Sequence, residues 1–172
     1  LEQELAELHG KQSALLFTSG YVANLATLAT LARILPDCVI TSDADNHASM
    51  IDGIRHGRSE KLIWRHNDLG DLERHLQMVG RDRPKIVAFE SVYSMDGDIA
   101  PMPGLLRLCE QHGAWLLVDD AHGFGVLGDS GAGVLQHFNL SSPQLIYMGT
   151  LGKAAGVSGA FVAAHEHFIE WM

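Results

Sequence analysis

The stretch Trp115-Leu116-Leu117-Val118-Asp119-Asp120-Ala121-His122 runs four apolar residues into two carboxylates and an imidazole. A short apolar run closed by polar residues has the length of a buried strand, with the polar groups at its carboxyl end. Outward from it the same unit recurs, and strands are expected at Ala14–Phe17, Cys38–Thr41, Lys61–Arg65, Ile86–Glu90, Leu145–Met148 and Ala160–Ala164. Between several of them the apolar spacing changes to three and four, as in Leu69, Leu72 and Leu76. That period predicts helices over about 22–34, 47–56, 68–79 and 103–112. The segment Gly123–Gly133, with five glycines, reads as a loop. Strands alternating with helices make an α/β domain, three layers around a mostly parallel sheet of about seven strands. No repeat or linker divides it.

Bulk properties narrow the function classes. Of 172 residues, 47% are apolar and 19% charged, enough for a substantial buried core. Twelve Lys and Arg against 21 Asp and Glu give a net charge of −9 with no basic cluster, which excludes a nucleic-acid partner. No apolar run reaches the roughly 20 residues that span a bilayer, so no membrane association is expected and a cytoplasmic protein is. Cys38 and Cys109 have no ligand spacing and read as small core hydrophobes. The chain opens inside a helical pattern, Leu1, Leu5 and Leu8, and stops at His167–Met172 without a cap or turn signal. The expectation is a piece of a longer protein.

In open parallel sheets a ligand lies beyond the carboxyl ends of the strands. Five polar segments fall there: Thr18–Tyr21, Asp45–His47, Glu90–Ser94, Asp119–His122 and Gly149–Lys153. A carboxylate such as Asp119 at the mouth of a buried strand needs a cationic partner, which a protonated ring nitrogen would supply. Lys153, among small residues after a strand, would be a desolvated amine able to attack an aldehyde. Thr18-Ser19-Gly20-Tyr21 opens a helix with hydroxyls and backbone N–H groups suited to a phosphate ester. His47 can stack on an aromatic ring, and Ser94 can donate to one of its oxygens. Taken alone, each has an ordinary use: a turn cap for Asp119, a structural hydrogen bond for His122, an exposed loop for Lys153, an N-cap for Ser19. The other histidines show no ligand spacing with a carboxylate, and no metal is expected.

Rival motifs are incomplete. Gly123-Phe-Gly125-Val-Leu-Gly128 has the dinucleotide pattern, yet no acidic residue follows between Asp129 and Glu166. Gly152-Lys153 lacks the first glycine of a P-loop, where Tyr147 stands, and its magnesium-binding hydroxyl, where Ala154 stands. No GxSxG elbow occurs.

The chain resembles the α-oxoamine synthases, pyridoxal-phosphate enzymes of the aspartate-aminotransferase fold (fold type I). The likeness runs through Thr18-Ser-Gly-Tyr-Val-Ala-Asn24, Asn46-His-Ala-Ser49, Glu90-Ser-Val-Tyr-Ser-Met-Asp-Gly97, Val118-Asp-Asp-Ala-His-Gly123 and Gly149-Thr-Leu-Gly-Lys153. The resemblance implies that Lys153 holds pyridoxal 5'-phosphate as a Schiff base and moves the substrate α-proton. It implies that Asp119 pairs with the pyridine nitrogen, His122 bonds the phenolic oxygen and His47 stacks on the ring. Ser19, Gly20 and Tyr21 would lie on the phosphate side, Ser94 and Thr150 would add polar contacts, and Glu90 would assist. It also implies residues 1–172 as the cofactor-binding large domain without its N-terminal arm and C-terminal domain, and a homodimer when full-length. The implied reaction is decarboxylative condensation of an amino acid, alanine or glycine, with an acyl thioester carried on CoA or acyl carrier protein. Val118–Gly128 and Gly149–Gly159 are similar to the branch joining alanine to a pimeloyl thioester in biotin biosynthesis. Ser42–Ile51, Arg65–Asp68 and Glu90–Asp96 are similar to the branch using glycine and succinyl-CoA. A non-catalytic partner subunit is the remaining alternative, and Lys153, Asp119 and His122 argue against it.

Overall fold

The computed structural model of the chain describes residues 1–172. Seven strands form one sheet: β1 (Ser13–Phe17), β2 (Val39–Asp43), β3 (Glu60–Trp64), β4 (Lys85–Glu90), β5 (Trp115–Asp119), β6 (Leu145–Thr150) and β7 (Ala160–Ala164). Their order is β1-β7-β6-β5-β4-β2-β3. Only β7 runs against its neighbours, β1 and β6, and every other pair is parallel. The α/β class and all seven expected strands are present, with boundaries displaced by a residue or two.

The helices are α1 (Glu2–Leu8), α2 (Gly20–Ile34), α3 (Ala48–Gly57), α4 (Leu69–Val79), α5 (Met102–His112), α6 (Val134–His137) and α7 (Glu166–Glu170). Side-chain caps set where four of them begin. The Ser19 hydroxyl accepts from Val22 N at 3.2 Å, the His47 ring from Ser49 N at 3.2 Å, and Asp68 from Asp71 N at 2.9 Å. The closing segment, expected to carry no cap, instead folds into α7, where the His165 ring accepts from His167 N at 3.3 Å. An imidazole is an unusual cap, which is why the pattern does not advertise it. Gly123–Gly133 is a turn-rich loop, as expected, closed by Gly125 N donating to Gly131 O at 2.8 Å.

Strand alternation sorts side chains onto two faces. Val87, Phe89, Leu116, Val118 and Tyr147 meet α4, α5 and α6 through Leu72, Leu76, Met102, Leu105 and Val134. Ile86, Ala88, Leu117, Ile146 and Met148 meet α2 and α3 through Ala23, Leu28, Leu31, Met50 and Ile54. The second face is tightly closed. A Cβ added at Gly53 of α3 would come within 2.9 Å of both Asn24 O and Leu28 Cβ of α2, so glycine lets these helices approach. Parity therefore sends Glu90 and Asp119, paired in register on β4 and β5, to the α2–α3 face. Asp120 turns to the other. No helix is long and apolar enough to cross a membrane.

Candidate active site

On the α2–α3 face, at the carboxyl ends of β4, β5 and β6, lies an open cleft of about 190 Å³. It is lined by Gly20, Tyr21 and Asn24 from α2, His47 and Ser49 at the start of α3, and Glu90 from β4. Asp119, Ala121 and His122 come from the end of β5 and the turn after it, and Met148, Thr150 and Lys153 from β6 and the loop beyond. Lys153 and Asp119 therefore open onto one space. Of the residues singled out from sequence, Ser19 and Ser94 do not line it. Ser19 caps α2, and Ser94 is exposed, its backbone N donating to Glu90 Oε2 at 3.2 Å.

The floor is polar and buried. Asp119, 5% exposed, accepts from Asn24 Nδ2 at 2.6 Å through one oxygen and from Ala121 N at 3.0 Å through the other. Burial pushes its carboxyl above the ordinary carboxylate range, against the pull of those two donors, Lys153 and His47. The Asn24 amide reaches on to Ser49 Oγ at 3.0 Å, and that hydroxyl lies 2.8 Å from His47 Nδ1. Since His47 Nδ1 already accepts from Ser49 N, it is an acceptor, and Nε2 carries the proton of the neutral ring. Asp119, Asn24, Ser49 and His47 thus form one chain.

At the mouth, the Lys153 amine stands 2.7 Å from His122 Nε2. The small residues around Lys153 suggest a sheltered lysine, but the residue is exposed on its loop, and its amine lies against His122 at the cleft. Desolvation still lowers its pKa, with Asp119 and Glu90 pulling the other way. His122 is lowered too, first by burial and then by the Lys153 charge. The loop is pinned by Thr150, whose hydroxyl donates to Gly159 O at 3.2 Å and accepts from Gly152 N at 3.3 Å. Glu90, 3% exposed, has its Oε1 buried without a partner.

Three groups were not anticipated. Asn24 and Ser49 line the cleft, although the sequence marks them only as members of longer motifs. The available signal was an amide within the otherwise apolar stripe Ala23, Leu28, Leu31, since a buried polar group requires a partner. Asp120, on the opposite face, accepts from Val134 N at 2.8 Å and Tyr147 Oη at 2.6 Å and from Ser91 Oγ, fastening the turn that carries His122. A second polar cluster, also on that face, joins His66 Nδ1 to Asp43 at 2.9 Å and His66 Nε2 to Asp98 at 2.9 Å. These carboxylates lie far from His66 in sequence, which is why spacing did not expose them.

Known proteins share this sequence pattern and fold. The model of the family "Aminotransferase class I and II" matches residues 1–172. An 8-amino-7-oxononanoate synthase of Janthinobacterium sp. (strain Marseille) is 56% identical, covering 100% of this chain and 44% of its own length. A 5-aminolevulinate synthase 2 of Cereibacter sphaeroides is 53% identical over 95% of this chain and 40% of its own length. Among solved structures, serine palmitoyltransferase from S. paucimobilis, with bound PLP–myriocin aldimine, superposes with a TM-score of 0.90 at 39% identity. That match covers 99% of this chain and 42% of the other. The chain thus spans less than half the length of each of these relatives. With its full length matched by the family model, the chain belongs to the class I and II aminotransferase family, and the relatives named above are α-oxoamine synthases.

Proposed function

We propose that the full-length protein is a pyridoxal-phosphate-dependent acyltransferase that condenses L-alanine with a pimeloyl thioester. The products are 8-amino-7-oxononanoate for biotin biosynthesis, CO₂ and the thiol carrier. The observation that carries this reading is one cleft bringing together an inward-turned lysine amine, a buried carboxylate and two imidazoles. The cofactor suits these residues. A carboxylate buried as deeply as Asp119 gains from a cationic ring nitrogen beside it, and the unpartnered Glu90 Oε1 leaves a polar valence for a ligand to fill.

When bound, pyridoxal phosphate offers an aldehyde to amines and a ring that accepts an electron pair from the amino-acid α-carbon. Lys153 would hold it at the aldehyde carbon, and Asp119 would keep the ring nitrogen protonated. Gly20 and Tyr21, at the start of α2 beside the Ser19 cap, would receive its phosphate at the positive end of the helix. His122 contacts the Lys153 amine and would donate to the ring oxygen, while His47, held by the Ser49 contacts, would offer its ring face. Ser94 and Thr150 act on the rim, one through Glu90 and the other through the lysine loop. Because desolvation shifts the Lys153 amine toward its neutral form, this amine is suited to take the α-proton of the amino acid and return it.

The 53% identity to a 5-aminolevulinate synthase keeps glycine and succinyl-CoA as the second substrate pair. The same reading makes residues 1–172 the large domain of a longer, cytoplasmic homodimer, whose other segments complete the acyl pocket. For the full-length protein, incubation with each amino acid and each thioester, on CoA or acyl carrier protein, decides by product mass. Lys153→Ala is expected to abolish the cofactor's absorbance change on binding and to lower turnover at least about a hundred-fold. Full turnover in that variant would sink the assignment. A non-catalytic subunit would bind no cofactor in either form.

A further inference from the structure

Glu90 holds a position that its neighbours make unfavourable for a negative charge. It ends β4 in register with Asp119 on β5, so two carboxylates point to the same face of the sheet across one strand spacing. It is 3% exposed. One oxygen, Oε2, takes the Ser94 backbone N–H, while Oε1 is buried in the cleft wall with no hydrogen-bond partner. An ionised carboxylate here would be a buried anion beside another, with one of its oxygens unpartnered, an unfavourable arrangement for such a pair. Asp119 has the Asn24 amide at 2.6 Å and the Ala121 N–H at 3.0 Å to bear its charge, whereas Glu90 has the Ser94 N–H at 3.2 Å. The pull of the Ser94 and His47 groups on Glu90 is outweighed by burial and the Asp119 charge.

We infer that Glu90 works as a neutral carboxylic acid whose Oε1 hydroxyl donates a hydrogen bond to an anionic oxygen of the ligand seated over Asp119. The two carboxyls then divide the work, with Asp119 the anion and Glu90 the acid. This inference rests on the proposed cofactor reading. Burial first, and the Asp119 charge second, push the Glu90 carboxyl up to about 7, with the Ser94 and His47 N–H groups and the Ser94 hydroxyl opposing. Besides Asp119, the other titratable groups facing this space are Tyr21, His47, His122 and Lys153. The anionic oxygen belongs either to the cofactor's phenolate or to the amino-acid carboxylate.

The test uses the full-length protein in three forms, wild type, Glu90→Gln and Glu90→Ala. Infrared difference spectra between wild type and Glu90→Gln without ligand, at about pH 6, report the carboxyl directly. A protonated-carboxyl C=O band in wild type that is absent from the variant is expected, and a carboxylate band in its place overturns the proposal whatever the cofactor does. Titration with pyridoxal phosphate alone, then with L-alanine added, separates the two oxygens. Glu90→Gln keeps a donor and is expected to bind close to wild type. Glu90→Ala weakens whichever ligand receives the bond roughly ten- to hundred-fold, an advantage of wild type that fades as pH rises through about 7. Equal binding of both ligands by wild type and Glu90→Ala overturns the donor role. Wild-type protein that binds no pyridoxal phosphate overturns the cofactor reading and the donor role with it.

Discussion

At the scale of single residues, the cleft depends on polar groups whose partners are all internal. Asn24 carries most of this dependence, since its one amide nitrogen serves both Asp119 and Ser49. Removing it leaves a buried carboxylate with only the Ala121 N–H and Ser49 with one contact fewer. Asn24→Ala is expected to destabilise the full-length protein by about 1–3 kcal/mol in urea unfolding. It should also weaken pyridoxal-phosphate binding roughly ten-fold by absorbance titration, because Asp119 then favours its neutral form. Unchanged binding would detach Asn24 from the cofactor. Sequence disclosed Asp119, His47 and His122 because each stands at a strand end, where position alone suggests a role. Asn24 was harder to read, since it lies inside a helix and its partner is 95 residues away.

At the scale of elements, the carboxyl ends of β2 and β4 are tied together on the face opposite the cleft. Asp43 at the end of β2 accepts from Asp45 N at 2.9 Å and Asn67 N at 3.0 Å, and His66, just after β3, bridges it to Asp98 beyond β4. Burial alone would lower the His66 pKa, but hydrogen bonds and charges from Asp43 and Asp98 outweigh it and raise the value above the ordinary 6.5. A histidine raised in the folded state adds stability that is fully present below its unfolded pKa and is lost as pH rises through the folded value. His66→Gln should therefore be less stable than wild type below about pH 6.5, and the gap should close on the alkaline side. Thermal unfolding of both proteins across that range checks it, and a gap that widens with pH rules out the charged bridge. The elements themselves follow from periodicity, while this clamp comes from three segments that meet only after the sheet is assembled.

At the scale of the whole molecule, the cleft collects groups from α2, α3, β4, β5, β6 and the loop after β6, so a ligand there links most of the sheet's carboxyl edge. A ligand that binds only the folded state adds stability by mass action. Pyridoxal phosphate at about a hundred times its dissociation constant is expected to stabilise the full-length protein by roughly 2.7 kcal/mol, read as a raised midpoint in thermal unfolding. No shift at saturating cofactor would mean that the cleft is not where it binds. Hydrophobic period and strand-end polarity are local properties, and they were enough to determine the α/β class, the seven strands and the line of candidate residues along one edge. Which of two neighbouring carboxylates faces the cleft was decided by strand parity in the assembled sheet, which turns Asp119 to α2 and Asp120 to Tyr147. Which polar groups are paired and which is left open, Glu90 Oε1 above all, was decided by packing, because a hydrogen-bond partner exists only once distant segments have been brought within reach.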